Sequence, residues 1–157
     1  GVLMPAFTPV HLGKWEPLFT DLVDGESSAL TEEGTWMLGD KSGLVCVFED
    51  SEALYVEAST NIAKTLQCYI KGGTECEFRT MMGVLEMGAS HKNAAQRANS
   101  GPLAKRISKR VEKFRYRVVP APVKSLSQLA NAFNVVADTR YAGPSAMANR
   151  ALDALPN

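Results

Sequence analysis

The chain has 157 residues, 45% of them hydrophobic and 22% charged, with 8 prolines, a composition that supplies one domain with its own core and excludes both a disordered chain and two full domains. Seventeen basic residues cancel seventeen acidic ones, but residues 1–91 carry 5 Lys and Arg against 14 Asp and Glu, residues 92–117 carry 9 against 1, and residues 118–157 carry 3 against 2. The middle block, at a formal +8, either faces an anionic partner or matches the acidic first half internally.

In chain order, the first 40 residues read as an irregular arm with one short amphipathic helix, because Trp15, Leu18, Phe19 and Leu22 share a face until Gly25 ends the run. Residues 27–34 are polar enough for a loop. Residues 44–48 and 53–57 are two short apolar strands joined by Glu49-Asp50-Ser51-Glu52, a hairpin pattern. Ser59 or Thr60 then offers a cap to a helix over 60–70, carried by Ile62, Leu66, Tyr69 and Ile70 and stopped by Gly72-Gly73. Residues 76–87 fit neither period, and their methionines read as core filling. Residues 91–101 read as a basic loop.

Pro102 begins a helix over 102–114 that turns Leu103, Ile107, Val111 and Phe114 to one side and Lys105, Arg106, Lys109 and Lys113 to the other. A strand follows at 115–119, ended by Pro120 and Pro122. Ser125 and Gln128 form a capping-box pattern for a helix over 125–138 with Leu126, Leu129, Phe133 and Val136 on its apolar face, and a last helical segment runs over 145–155. The expectation is an α+β fold with a small, mostly antiparallel, three-stranded sheet flanked by helices, the arm at 1–40 and a single domain at 41–157.

Cys46, Cys68 and Cys76 are an odd number without CxxC spacing and read as free thiols of a reducing compartment; His11 and His91 are too far apart in sequence to suggest a metal site. No apolar run spans a membrane, and the start, interrupted by Pro5 and Pro9, does not read as a signal peptide. A cytoplasmic protein with no membrane contact and no cofactor is expected.

Over residues 43–137 the order of elements and their wording resemble the GIY-YIG nuclease domain. Gly43-Leu44-Val45 stands where the first motif of that family would be, Tyr55-Val56-Glu57 at the second, and residues 61–66 at the start of its first helix. The resemblance implies a phosphodiester-cutting site built from tyrosines, an arginine and a glutamate that holds a divalent cation. This chain keeps Tyr55 of that set: Val45 replaces the first tyrosine, Glu57 the second-motif glycine and Thr65 the arginine. The metal-binding glutamate falls near Ala130 or Asn131, in a stretch (125–139) with no glutamate.

The expected function is therefore that of a GIY-YIG-like domain without cleavage, binding nucleic acid through Arg97, Lys105, Arg106, Lys109, Arg110, Lys113, Arg115 and Arg117. One alternative is a divergent nuclease that uses Tyr55 and Glu57 with Mg²⁺ or Mn²⁺. Another is a protein-interaction or regulatory domain with a protein partner or a second copy of itself.

Overall fold

The computed structural model describes residues 7–73, 75–121 and 124–153. A 3-10 turn (Pro9–Trp15) leads into α1 (Glu16–Asp24), β1 (Ser28–Ala29) and α2 (Glu32–Trp36), and then the hairpin β2 (Gly43–Glu49) and β3 (Glu52–Ser59). Four helices follow: α3 (Ile62–Lys71), α4 (Glu77–Leu85), α5 (His91–Arg97) and α6 (Gly101–Val111). The chain continues into β4 (Arg115–Pro120), α7 (Leu126–Ala137) and α8 (Pro144–Asp153).

The strand β2 is apolar at every position but its last and buried at the first six, the pattern of a strand covered on both faces. It lies inside an antiparallel sheet of order β1-β4-β2-β3. Val45 and Val47 face Glu57 and Tyr55 on one side and Val118 and Tyr116 on the other. Because side chains alternate, these residues share one face, which α3, α4 and α6 cover with Leu66, Tyr69, Phe78, Met82, Ile107 and Val111. The opposite face carries Leu44, Cys46, Phe48, Val56 and Val119, packed under Phe19 and Leu22 of α1 and Leu126, Leu129 and Phe133 of α7. The result is three layers, helix on sheet on helix.

Gly43 is required by close approach: a Cβ there would lie 2.4 Å from the Val119 carbonyl oxygen and 3.2 Å from Cδ1 of Ile62. The register between β2 and β3 slips at Val47/Phe48, where Tyr55 and Ala53 find partners and Leu54 does not, a bulge that sends Leu54 into the core. The outer edge of β3 is closed by the chain after α7, since the Arg140 and Tyr141 amides donate to the Ala53 and Leu54 carbonyls at 3.3 and 3.0 Å.

Four expectations need correction. The sheet has four strands, not three, among the described residues. The extra strand, β1, lies in the segment read as a loop and is too short to show a period; the Arg115 and Arg117 side chains tie its neighbourhood down through Ser27 and the Glu26 carbonyl. Residues 91–97, read as a loop, are the helix α5, capped by the Ser90 hydroxyl accepting from the Asn93 amide at 3.2 Å; its buried Ala94 fits against Gly83, where an added Cβ would meet it at 2.9 Å. Ser125 does not cap α7: it sits at φ 71 and makes no side-chain cap bond. The cap of α3 is Asn61 instead of Ser59 or Thr60, its Oδ1 accepting from the Lys64 amide at 3.1 Å.

Residues 1–6 of the arm, Pro122 and the end of the last expected helix beyond Asp153 lie outside the described residues. No helix among the described residues is long and apolar enough to cross a membrane.

Candidate functional site

Two regions carry the residues singled out by the sequence. The first surrounds Tyr55 and Glu57. Two places apart on β3, they point to the same face, toward α3 and α4, so Glu57 is not the solvated strand-end carboxylate its position in the sequence suggests. The Tyr69 hydroxyl donates to Glu57 Oε1 at 2.8 Å. Burial pushes the Glu57 carboxyl above its ordinary pKa, the Tyr69 hydrogen bond opposes this, and the charge of Glu77 adds to it. The Tyr69 ring stacks on Phe78 at 4.1 Å between centroids, and Tyr55 stacks on the same Phe78 at 6.2 Å. Tyr55 is thus held by an aromatic row, with one side open to a cleft.

Two clefts meet at Tyr55, Glu57 and Glu77. One, of about 610 Å³, runs between β3 and α7 and includes Met81, Ala130, Asn131 and Met147. The other, of about 350 Å³, runs along α3 and includes Lys64, Thr65, Cys68 and Cys76. The fold therefore gathers Tyr55, Glu57, Thr65, Ala130 and Asn131 around adjoining space, with Val45 beneath as the register partner of Glu57. Thr65 Oγ1 is tied to Ser59 Oγ at 2.7 Å, and among the described residues no group of three or more His, Cys, Asp or Glu is arranged to hold a metal ion. Lys64 is the one cation on either cleft among the described residues.

The second region is the basic block, which the structure divides. Arg110 is half-buried and grips Glu49, with one nitrogen 2.7 Å from Oε1, while its Nε lies 2.9 Å from Glu86. Arg140 reaches the same two carboxylates at 3.0 and 2.8 Å and Glu52 at 2.5 Å. Hydrogen bonding from Arg110, then Arg140, holds the Glu49 carboxyl down at about 2. Arg117 pairs with Asp21 and donates to the Glu26 carbonyl at 2.8 Å, and Arg115 donates to Ser27 Oγ at 2.9 Å. Within the basic block, Arg110, Arg115 and Arg117 thus fasten elements together.

The other five residues stand differently. Arg97, Lys105, Arg106, Lys109 and Lys113 are exposed and form no ion pair among the described residues. Lys105, Arg106 and Lys109 lie on α6, opposite the buried Ala104, Ile107 and Val111, and Lys113 lies in the turn just after it, because the helix expected over 102–114 already ends at Val111. Beside them runs an open groove of about 440 Å³ that includes Lys71, Gly101, Lys105, Ser108, Lys109 and Glu112. None of the α6 residues borders the clefts at Tyr55.

Two features escaped the sequence reading. Arg79 is fully buried, and its guanidinium donates to the carbonyls of Tyr69 (2.9 Å), Ile70 (3.3 Å), Ala98 (3.0 Å) and Ala104 (2.8 Å) and to Ser108 Oγ at 3.0 Å. The carbonyls come largely from the C-terminal ends of α3 and α5, the negative ends of their dipoles, which suit a buried cation. A lone arginine within Phe78-Arg79-Thr80-Met81-Met82 was the available signal. The second feature is the meeting of Cys68 and Cys76, whose spacing fits no short thiol motif.

No family model matches the chain, and comparison with curated proteins and with solved structures returned no match.

Proposed function

We propose that the protein binds nucleic acid through the phosphate backbone, with the outer face of α6 as the contact surface. The observation that carries this reading is the exposed set Lys105, Arg106 and Lys109 on one side of α6 with Lys113 in the turn that follows it, unpaired among the described residues, while Arg110, Arg115 and Arg117 of the same block are taken up by internal partners. A helix whose apolar stripe is anchored holds its cations in fixed relative positions, so less order must be imposed on binding. Such contacts are indifferent to base sequence.

The clefts at Tyr55 fit a non-cleaving domain of the GIY-YIG kind better than an active one, because Thr65 and Asn131 supply a hydroxyl and an amide where the resemblance asks for a guanidinium and a carboxylate. Anisotropy titration of the full chain with labelled duplex and single-stranded DNA and RNA, in Mg²⁺ and then chelator, tests the reading. Binding without strand cleavage is expected. Cleavage that is lost on Tyr55→Phe or Glu57→Gln would replace it with the divergent-nuclease reading.

A further inference from the structure

Cys68 lies in the last turns of α3 and Cys76 immediately precedes α4, and both line the cleft that ends at Glu57. Cys68 is half-exposed there and Cys76 is buried behind it. The stretch between them is clamped by Arg79, whose backbone amide donates to the Cys76 carbonyl at 3.0 Å while its guanidinium holds the Tyr69 and Ile70 carbonyls. The same residue thus fixes the chain just after Cys68 and the peptide of Cys76.

The two thiols differ in character. The side-chain interaction with Cys76, more than any other influence, lowers the Cys68 pKa; the buried Arg79 cation acts in the same direction, while burial and Glu57 oppose. Cys76, deeper in the protein, is pushed up by its interaction with Cys68 and by burial. Cys46 is also pushed up, by burial alone, and lies on the opposite face of the sheet under α1 and α7. An accessible, lowered thiol with a second thiol in contact is the arrangement that oxidation selects.

We propose that Cys68 and Cys76 form an oxidisable dithiol that reacts with hydroperoxides, Cys68 as the attacking sulfur and Cys76 as the resolving one. The Cys68 thiolate attacks the distal oxygen of ROOH; an S–O bond forms, the O–O bond breaks, and the departing RO⁻ takes up a proton to leave as ROH. The Cys76 sulfur then attacks Cys68, the S–O bond breaks, and hydroxide leaves as water with the Cys76 proton. Two thiols and one hydroperoxide become one disulfide, one alcohol and one water, the peroxide being reduced by the two electrons the sulfurs lose. The disulfide fastens the end of α3 to the start of α4 along the wall of the Glu57 cleft. This inference is independent of the α6 binding reading.

The test uses the intact chain, treated with hydrogen peroxide, then alkylated and digested with trypsin. Cleavage after Lys64, Lys71 and Arg79 places Cys68 in peptide 65–71 and Cys76 in peptide 72–79, with Cys46 elsewhere. The expected result is a fall from three free thiols to one, with peptides 65–71 and 72–79 linked and Cys46 alkylated. In Cys76→Ser the sulfenic acid on Cys68 persists and is captured by dimedone; in Cys68→Ser neither a disulfide nor a dimedone adduct forms. Three free thiols remaining under peroxide that fully oxidises free glutathione, a linkage through Cys46, or first capture of dimedone at Cys76 would overturn the proposal.

Discussion

The side-chain amide of Asn134 meets both polar groups of the Val56 peptide: its Oδ1 accepts from the Val56 amide at 2.9 Å and its Nδ2 donates to the Val56 carbonyl at 2.8 Å. The same amide also donates to the Ala130 carbonyl at 3.0 Å and accepts from the Thr139 hydroxyl at 2.7 Å, which fills its capacity. Asn134 thereby ends the sheet, since it stands where a further strand would pair with β3.

Asn134→Ala should destabilise the fold by about 2–4 kcal/mol, because a buried backbone amide and carbonyl each lose a partner at a cost of about 1–3 kcal/mol. Chemical denaturation measures the loss, and faster hydrogen exchange at the Val56 amide locates it. A change of under about 0.5 kcal/mol, the range of ordinary surface substitutions, would mean that the edge is held by the Arg140 and Tyr141 backbone bonds alone.

Glu49→Gln should cost about 1–3 kcal/mol at pH 7, between the values for exposed and for fully buried pairs, since Arg110 and Arg140 both lose a charged acceptor. The pH dependence has a definite sign. The folded-state pKa, about 2, lies below the ordinary 4.5, so the contribution is fully present above the ordinary value and is lost as pH falls toward 2. The gap between wild type and variant in urea midpoint should narrow across that window and stay constant above it.

Glu57→Gln should behave in the opposite way. Burial raises this carboxyl in the folded state, so its contribution to stability is present below the ordinary pKa and is lost as pH rises through the folded one. The variant, which still offers Tyr69 an acceptor, should melt above wild type at pH 8 and match it at pH 4. A variant less stable at pH 8 would show that the charged Tyr69–Glu57 bond outweighs the desolvation.

Gly43→Ala should destabilise by about 1–3 kcal/mol, as overpacking does, because backbone and not a flexible side chain stands in the way of the new methyl group. The crystal structure of the variant should show β2 and β4 displaced at the Val119 carbonyl. Unchanged stability with no displacement would remove the steric account of this glycine.

Much of the sheet was legible because its period is short and its neighbours in sequence are neighbours in space: Val45, Val47, Tyr55 and Val56 announce the hairpin, and Arg115 to Val119 the third long strand. The pairing of residues 28–29 with β4 was not, since two residues carry no period and the cause lies in the side chains of Arg115 and Arg117, almost ninety positions away. Burial of Glu57 was equally hidden, because alternation says that Tyr55 and Glu57 share a face but not that Tyr69 arrives to cover it. The outward set of α6 was legible for Lys105, Arg106 and Lys109, while Lys113, expected on the same helix, is exposed in the turn after it. Arg110 has its charge on the same helix, yet only the fold reveals Glu49 and Glu86 waiting for it.

The most direct test of the α6 assignment is the salt dependence of duplex binding, measured for wild type and for Lys105→Gln/Lys109→Gln/Lys113→Gln together. Four phosphate contacts give a slope of log affinity against log salt of about −3 to −4, at about −0.9 for each contact. The triple variant should fold normally, its three positions being exposed, and should bind unrelated sequences more weakly with a slope near −1. No binding by wild type at about 50 mM salt, where phosphate contacts are strong, or an identical slope in the folded variant, would contradict the assignment of α6 as a nucleic-acid surface.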